Sequence, residues 1–237
     1  CFYYCVYPLQ QGRKLRLKDP NKLINEIKYL QRKLNVSNFI FRDPVFSIDK
    51  NHTIQICKKI ISEKLNINIC IETHLKNINQ ELTNYLKKAG VKLIYVGIES
   101  SNENVKKTNN RWSEENDKQI EKINYLEKQG IKVKAMYIVG LPGDTHETFD
   151  ETLKYAKKIN SSFAQFSVFT PYPGTPVYNE YKNKMEFHKF EDFTQWDLVF
   201  KHTNFTKKDI RKILDKSYRS YYLRPRWLLK FALNKLR

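Results

Sequence analysis

Residues 132–158 read KVKAMYIVGLPGDTHETFDETLKYAKK, and this stretch decides the fold class. Its first part, 132–139, is rich in apolar and β-branched residues and predicts a strand. A glycine-rich turn follows at 140–144, and 145–158 has the apolar spacing of an amphipathic helix. The stretch is therefore one β–α unit, in which a strand is followed by the helix that packs on it.

The same unit recurs along the chain, about every 30 residues. Further strands are predicted at 38–41, 67–72, 91–98 and 163–169, and further helices at 20–34, 53–65, 81–89 and 113–129, the last with Ser113 as its N-cap. Strands that alternate with helices of this length imply parallel pairing with right-handed crossovers, because antiparallel hairpins need only short turns. We therefore predict an α/β fold, a partial (β/α)6 TIM-like barrel of parallel strands.

The composition fits a globular protein with a substantial core. The chain has 237 residues, of which 41% are hydrophobic and 14% aromatic, and this is ample for a large α/β domain. No secretory signal pattern or long apolar run is visible, and four cysteines are too few for a disulfide scaffold. We therefore expect a reduced, cytoplasmic protein without a transmembrane segment.

Polar and glycine-rich residues follow every predicted strand. These loops read Arg42-Asp43-Pro44, Glu72-Thr73-His74, Gly97-Ile98-Glu99-Ser100-Ser101, Gly140-Leu141-Pro142-Gly143-Asp144 and Pro171-Tyr172-Pro173-Gly174-Thr175. Each loop by itself has a simple structural interpretation as a turn, a cap or an ion pair. Because parallel barrels gather such loops at the carboxyl ends of their strands, the five together predict a ligand site there.

Two cysteines four residues apart open the chain, in Cys1-Phe2-Tyr3-Tyr4-Cys5. Soft thiolates on a short loop suit an iron–sulfur or zinc centre, but two ligands do not complete such a site. The spacing alone leaves metal ligation and inert thiols both open. Cys57 lies in a helical pattern and Cys70 in an apolar strand, where a free cysteine behaves as a small hydrophobic residue.

The end of the chain is both basic and apolar. Residues 207–237 contain eleven basic side chains against two acidic ones, which is half of the formal net charge of +18. Three interpretations remain open: a helix docked on its own domain, an amphipathic helix on a membrane surface, and a nucleic-acid arm. Docking is favoured. The membrane helix comes second. It is preferred to the nucleic-acid arm because the bulky apolar residues around Trp227 would have no favourable contact with the phosphates of a nucleic acid.

Several motifs, taken in order, resemble the radical S-adenosylmethionine (SAM) superfamily, and specifically its cobalamin-binding branch. The first is the cysteine loop with Val6-Tyr7-Pro8. The others are the segments 12–14, 39–46, 95–100, 137–145, 166–176 and 222–226, and together they span nearly the whole chain. The resemblance implies a radical SAM enzyme that binds its ligands at the strand ends of a barrel.

The resemblance makes Cys1 and Cys5 ligands of a [4Fe-4S] cluster. Such enzymes hold the cluster through three cysteines in a C-x3-C-x2-C loop, and the iron left open binds SAM. If Cys1 and Cys5 are the first two cysteines, Pro8 stands where the third belongs. If Cys5 is instead the last, the middle position falls on Phe2 and the first cysteine lies upstream. Both alignments remain open.

The resemblance also implies which polar residues hold SAM. Asp43 falls where the superfamily contacts the SAM amino group, and Glu99 and Ser100 fall where polar groups reach its methionine or ribose. His74 stands where an arginine is expected, which places a role in binding the SAM carboxylate in doubt.

A glycine-rich turn completes the SAM site that the resemblance implies. Gly140, Pro142 and Gly143 resemble the turn that lies beneath the adenine. Backbone without a side chain can approach a flat base closely.

Domain organisation and partners follow from the same resemblance. We expect a radical SAM core over 1–205, lacking its first strand because the chain opens inside the cysteine loop, and a helical basic extension over 206–237. A domain upstream would bind cobalamin. The implied partners are a small-molecule or lipid-like substrate and an electron donor such as flavodoxin or ferredoxin, with a peripheral membrane contact through the tail; nucleic acid is not expected.

The predicted function is reductive cleavage of SAM at a [4Fe-4S] cluster, which starts methylation, oxidation or rearrangement of an unknown substrate. Two alternatives remain open. One is a non-catalytic, degenerate barrel that binds nucleic acid or an anionic membrane, which Pro8 in a ligand position would favour. The other is a cobalamin-independent radical SAM enzyme that modifies RNA.

Overall fold

Five parallel strands form one sheet in the order β1–β2–β3–β4–β5 in the computed structural model, which describes residues 3–187 and 189–235. The strands are β1 Asn38–Ile40, β2 Asn68–Glu72, β3 Val91–Glu99, β4 Lys132–Val139 and β5 Phe163–Val168. Spatial order equals chain order, as successive β–α crossovers of one hand produce. The predicted α/β fold class, with parallel strands of the barrel type, is confirmed.

The helices alternate with these strands. They are α1 Tyr7–Gln11, α2 Pro20–Leu34, α3 Lys50–Ser62, α4 Gln80–Lys88, α5 Glu103–Thr108, α6 Asn116–Lys128, α7 His146–Ile159, α8 Pro176–Tyr181, α9 Lys207–Tyr222 and α10 Pro225–Lys235. The long helices between strands lie within a few residues of their predicted positions. The short helices α1, α5 and α8 have too few turns for an apolar period to show in the sequence.

Side-chain caps define where the long helices begin. Asp19 accepts hydrogen bonds from Asn21 N at 2.7 Å and Lys22 N at 3.1 Å, so its carboxylate caps α2. Thr145 caps α7 and forms a capping box with Thr148. Each such cap satisfies backbone N–H groups that a helix leaves open, and contributes about 1 kcal/mol.

The predicted N-cap Ser113 is wrong. Helix α6 begins at Asn116, and Glu115 occupies its N-cap position. The Ser113 hydroxyl instead accepts a hydrogen bond from Lys106 Nζ at 3.0 Å. Lys106 is only 2% exposed, and its buried ammonium is satisfied by this hydroxyl together with the carboxylate of Glu103.

The chain packs as two compact units. Of the described residues, the first comprises 3–13, 98–113, 135–187 and 189–235, and the second comprises 14–97 and 114–134. The core of the first is aromatic, with Phe166 stacked on Tyr137 at 5.2 Å between ring centroids. The predicted division at 205 and 206 stays a prediction.

The second unit has an aliphatic core in which the two internal cysteines are buried. Cys57 in α3 and Cys70 in β2 are free thiols, 1% and 9% exposed. Burial raises the pKa of the Cys57 thiol to about 12. Both cysteines therefore behave as the small hydrophobic residues that the sequence predicts.

Two glycines in equivalent places give a matched stability test. Gly90 precedes β3 with φ +92°, and a Cβ added there would lie 2.2 Å from the carbonyl oxygen of Ile67. Gly130 precedes β4 with φ +85°, but a Cβ there meets nothing within 4 Å. We expect Gly130→Ala to lower the free energy of unfolding by about 1 kcal/mol and Gly90→Ala by at least about 3 kcal/mol, because only the second adds a clash with backbone. Urea denaturation measures both, and equal losses would contradict this explanation.

Candidate functional site

The site is built at the carboxyl ends of strands in the first unit. Glu99 is the last residue of β3, Gly140 follows β4 and Phe169 follows β5. The amide of Phe169 donates to the carbonyl of Val139 at 2.9 Å, which keeps the ends of β4 and β5 together. Because parallel strands finish on the same edge of a sheet, their loops can act jointly on one ligand.

The cysteine loop is anchored beside the end of β5. The carbonyl of Tyr3 accepts from the amide of Val177 at 3.1 Å, and its hydroxyl donates to Glu180 Oε2 at 2.6 Å. The ring of Tyr4 packs edge-on against Phe169, with 6.1 Å between centroids. Cys5 follows directly, half-buried and without a disulfide. The predicted partner ligand, Cys1, lies outside the described residues.

A buried ion pair lies at the end of β3. Glu99 Oε1 is 3.4 Å from Arg111 Nη2, and the two side chains are 14% and 6% exposed. Burial raises the pKa of the Glu99 carboxyl, and the charge of Arg111 acts in the opposite direction. A charge pair with so little solvent is strongly coupled, so removing one partner leaves the other charge uncompensated.

Glu99 also has a strained backbone. Its φ of +66° is in the left-handed region, where the other such non-glycine residues are mostly asparagines, for example Asn35 and Asn110. Asparagine tolerates this conformation better than glutamate does. A cost of roughly 1–2 kcal/mol at a buried charged residue is typical of a functional position.

Two buried polar atoms of the first unit have no hydrogen-bond partner among the described residues. They are the Tyr4 hydroxyl and Asn109 Oδ1. The charges of Glu99 and Arg111 reach the Tyr4 hydroxyl, whose pKa is raised, chiefly by burial. Asn109 is fully buried and donates through Nδ2 to the carbonyl of Pro142 at 2.9 Å. Such atoms are rare in native proteins, and a polar ligand is one group that would satisfy them.

The glycine-rich turn after β4 is held by Asp144. The amide of Gly140 donates to Asp144 Oδ2 at 3.0 Å, and the amide of Asp144 donates to the carbonyl of Leu141 at 2.8 Å. Gly140 and Gly143 have φ of +77° and +82°, whereas the atoms nearest an added Cβ are 3.6 Å and 3.7 Å away. Glycine is therefore required at these two positions by the positive φ of the backbone, and not by a close contact with other residues of this chain.

Ser100 and Asp43 have different surroundings. Ser100 is buried; its hydroxyl lies 3.2 Å from that of Thr152 and accepts from the amide of Asn102 at 3.1 Å, so it braces α5 against α7. Asp43, in the second unit, is exposed after β1 and makes no hydrogen bond or ion pair with any described residue. Their predicted contacts with SAM stay predictions.

Asp144 makes stability depend on pH. Burial raises its pKa from 3.8 to about 6 in the folded protein. The folded state therefore holds this proton more tightly than the unfolded chain, so its stabilising contribution is complete below about pH 4 and is lost as the pH rises through about 6. Asp144→Asn removes this titration. The free energy of unfolding of this variant minus that of wild type should therefore increase by about 2 kcal/mol between about pH 4 and pH 7. Urea titrations at the two pH values measure this difference. A pH-independent difference would contradict the assignment.

The donor set fits an iron–sulfur cluster in kind but is incomplete among the residues described. In residues 3–187 and 189–235, no group of three or more His, Cys, Asp or Glu side chains is placed to hold a metal ion. Cys5 has the soft sulfur and the partly exposed loop that a cluster ligand needs. Cys1 lies outside the described residues, so its role as a second ligand stays a prediction.

Sequence reasoning missed three residues of this site: Tyr4, Asn109 and Arg111. Tyr4 was visible only as an aromatic residue beside a cysteine, and Asn109 and Arg111 lie in a polar stretch after Glu99. No spacing in a single sequence indicates that Arg111 returns to the end of β3. The ion pair that the sequence allowed in the loop after β3 is present, and its cation is Arg111.

Comparison with known proteins supports the resemblance. The family model of the radical SAM superfamily matches residues 3–156. That family uses a [4Fe-4S] cluster and SAM, which are the predicted cofactors, and its enzymes act on a substrate with an electron donor. An uncharacterized methyltransferase of Pyrococcus horikoshii is 30% identical over 236 residues, covering 97% of this chain and 51% of the relative.

A second relative is the anaerobic magnesium-protoporphyrin IX monomethyl ester cyclase of Rubrivivax gelatinosus. It is 27% identical over 233 residues, covering 96% of this chain and 42% of the cyclase. The chain thus spans about half the length of the curated relatives it matches.

A solved structure shares the fold. It is the radical SAM methyltransferase TsrM from Kitasatospora setae, with cobalamin and a [4Fe-4S] cluster bound. The TM-score is 0.68 at 16% identity, over 77% of this chain and 35% of TsrM. At this identity the likeness concerns the fold alone. Since the family model covers well over half of its residues, the chain belongs to the radical SAM superfamily.

Proposed function

We propose that this protein cleaves SAM reductively at a [4Fe-4S] cluster and so starts radical chemistry on a substrate. One observation carries the proposal: the loop of Cys5 packs through Tyr4 beside the strand ends that bear the buried Glu99–Arg111 pair. When bound, the reduced cluster supplies the electron that breaks the C5′–S bond of SAM. The residues of the chain hold and orient the reactants.

Cys5 and Cys1 would hold the cluster. Tyr3 fixes the loop through Val177 and Glu180, so the Cys5 thiol is presented from an anchored backbone. The position of the third ligand differs between the two alignments. One alignment places it at position 8, which is a proline in this chain, and the other places it upstream. Replacement of Pro8 by cysteine separates the two alignments.

The Glu99–Arg111 pair would bind the amino-acid end of SAM. The amino-acid end of SAM carries an ammonium and a carboxylate. The Glu99 carboxylate and the Arg111 guanidinium offer the complementary charges. Arg111 would bind the SAM carboxylate. This is the role expected of an arginine at the position where this chain has His74. Glu99 would orient the guanidinium and accept a hydrogen bond from SAM. Both contacts are strengthened by the small solvent exposure of the pair.

The turn of Gly140, Pro142 and Gly143 would face the adenosine half of SAM. Two positions without side chains leave its backbone open to a flat base. Asn109 fixes the turn by donating to the carbonyl of Pro142. Asp144 does the same from the other side by accepting from the amide of Gly140.

Aromatic side chains would keep water and stray hydrogen donors away from the reaction. Phe169 lies between Tyr4 and Phe200, with ring centroids 6.1 Å and 5.8 Å away. Phe169 and Phe200 are 2% and 1% exposed. An apolar surface beside the cysteine loop excludes water. It suits radical chemistry, because water and other hydrogen donors would quench the radical.

The reaction class is methylation, oxidation or rearrangement of a small-molecule or lipid-like substrate. Two relatives support part of this range, because one is a methyltransferase by name and the other a cyclase. A cobalamin-binding domain upstream, and flavodoxin or ferredoxin as electron donor, complete the proposal. We place the enzyme in the cytoplasm, where such donors work, with a membrane contact through its tail.

The test is reductive cleavage of SAM by anaerobically reconstituted protein, expressed with the sequence that flanks the chain in its gene. We expect 5′-deoxyadenosine and methionine to form with dithionite or reduced flavodoxin, and neither to form without a reductant. Protein that takes up no iron and cleaves no SAM would overturn the proposal. In that case, steeply salt-dependent binding to RNA or DNA would favour the non-catalytic barrel.

The cobalamin-independent RNA modifier differs from the preferred function in what lies upstream. A cobalamin domain in the flanking sequence, with cobalamin retained on purification, would exclude this alternative.

A further inference from the structure

Helix α10 is attached to the first unit by one face. The indole of Trp227 donates from Nε1 to the carbonyl of Ser162 at 3.1 Å. Its ring packs edge-on against Tyr222, with 4.7 Å between centroids, and stacks on Phe231 at 5.1 Å. The docked helix predicted from the sequence is thus observed, with Trp227 turned inward.

Charged side chains strengthen this attachment. Lys230 donates from Nζ to the carbonyl of Asn160. Arg224, just before the helix, donates to the carbonyl of Lys157 at 2.8 Å and to Asn160 Oδ1 at 3.0 Å. The orientation of α10 about its own axis is therefore fixed.

The opposite face of α10 is apolar and open. At 3.6 residues per turn, Leu228, Leu229, Ala232 and Leu233 fall on the side away from Trp227 and Lys230. The three leucines are 47%, 63% and 53% exposed. We call these four residues the leucine stripe. Single exposed leucines are ordinary, but a contiguous stripe on a fixed helix marks a contact surface.

The two helices at the end of the chain expose an excess of basic side chains. Arg226 is exposed on α10, whose sequence PRWLLKFALNK contains no acidic residue. Helix α9, which precedes α10, exposes Lys207, Lys208, Arg211, Lys212, Lys216 and Arg219. Three of these six have carboxylate partners: Arg211, Lys216 and Arg219. The other three, Lys207, Lys208 and Lys212, form no ion pair with a described residue.

We propose that the leucine stripe docks the protein on an anionic lipid bilayer, with the leucines among the headgroups and the basic side chains near the lipid phosphates. Charge selects this occupant. A second copy of the chain would bring an equal positive charge against this face, whereas anionic lipid brings the opposite charge. The contact is peripheral, because no helix in the described part of the chain is long and apolar enough to cross a membrane. It does not depend on the SAM chemistry proposed above.

The structure changes which residues make the contact. Under the membrane interpretation, which the sequence placed second, the apolar residues around Trp227 would meet the lipid, but the ring of Trp227 packs on Tyr222 and Phe231. The inserted residues are therefore Leu228, Leu229 and Leu233. This distinction makes the proposal testable by substitutions that leave the docked face intact.

Vesicle flotation of the complete protein tests the proposal. We expect binding to vesicles of phosphatidylcholine with phosphatidylglycerol, weaker binding to phosphatidylcholine alone, and release by salt. The double variant Leu229→Glu/Leu233→Glu should bind at least about tenfold more weakly, since each substitution removes an apolar contact and adds repulsion. The matched control is Leu34→Glu, which changes a leucine that is 57% exposed on α2 in the other unit and should bind as wild type does.

Three results would overturn the proposal. The first is wild-type protein that stays unbound with the anionic vesicles at low salt or binds both vesicle types equally. The second is a folded double variant, as judged by its circular dichroism, that binds as wild type does. The third is light scattering that shows a wild-type dimer and a monomeric double variant, because a second copy would then cover the stripe.

Discussion

Cys5→Ser abolishes cluster binding, and this is the largest effect that we expect from a single substitution. A hydroxyl is a poor ligand for iron in a sulfur-rich cluster, and the loop provides few thiolates to replace the one that is lost. Iron and sulfide in the anaerobically reconstituted protein should fall to background. Formation of 5′-deoxyadenosine should disappear with them.

Cys57→Ala is the matched control for this loss. Cys57 is a buried thiol in α3, and burial raises its pKa to about 12, so it is a poor source of thiolate. This variant should keep its iron and its activity. Cluster content that survives Cys5→Ser but is lost in Cys57→Ala would contradict the assignment of the cysteine loop.

Pro8→Cys separates the two alignments of that loop. If Cys1 and Cys5 are the first two ligands, a cysteine at position 8 supplies the third, and iron content should rise. If the missing cysteine lies upstream, the substitution should leave iron content unchanged. Pro8 is in the first turn of α1, where proline is tolerated but not required.

Arg111→Met and Glu99→Gln should each weaken SAM binding by at least about tenfold to a hundredfold, measured by calorimetry or equilibrium dialysis. Each also leaves one charge buried without its partner, so the free energy of unfolding should fall by about 3 kcal/mol. The double variant should lose less stability than the sum of the two, because neither charge is then left alone.

A second ion pair separates ligand binding from stability. Lys122 Nζ lies 2.8 Å from Glu114 Oε1, with side chains 26% and 17% exposed, in the other unit. Glu114→Gln should lower stability while SAM affinity stays that of wild type. Folded Arg111→Met protein that binds SAM as tightly as wild type would show that the Glu99–Arg111 pair is purely structural.

The regular parts of the fold are predictable because their signals are local. Strand β4 and helix α2 have their predicted bounds, Lys132–Val139 and Pro20–Leu34, since apolar period, proline at the first turn and flanking caps all agree there. The start of α6 was misplaced because a local capping residue, Ser113, binds the buried ammonium of Lys106 instead. A contact between distant or buried groups overrides a local preference.

The candidate site could be predicted only in part, for the same reason. Strand-end loops bring Glu99 and Gly140 to one edge by topology alone, and topology follows from the period of the sequence. The pairing of Glu99 with Arg111, the orphaned Tyr4 hydroxyl and the inward turn of Trp227 depend on side-chain packing across the first unit. None of these has a sequence period, so the structure was needed to find them.

The most direct test of the central claim is the electron paramagnetic resonance spectrum of the reduced, anaerobically reconstituted protein, recorded with and without SAM. A cluster held by the cysteine loop, with one iron open to SAM, predicts a signal from the reduced [4Fe-4S] cluster whose line shape changes when SAM is added. The change should be absent in Cys5→Ser, which has no cluster, and should need more SAM in Arg111→Met. A wild-type cluster signal that SAM leaves unaltered would contradict the claim that this loop and the strand ends beside it form one SAM site.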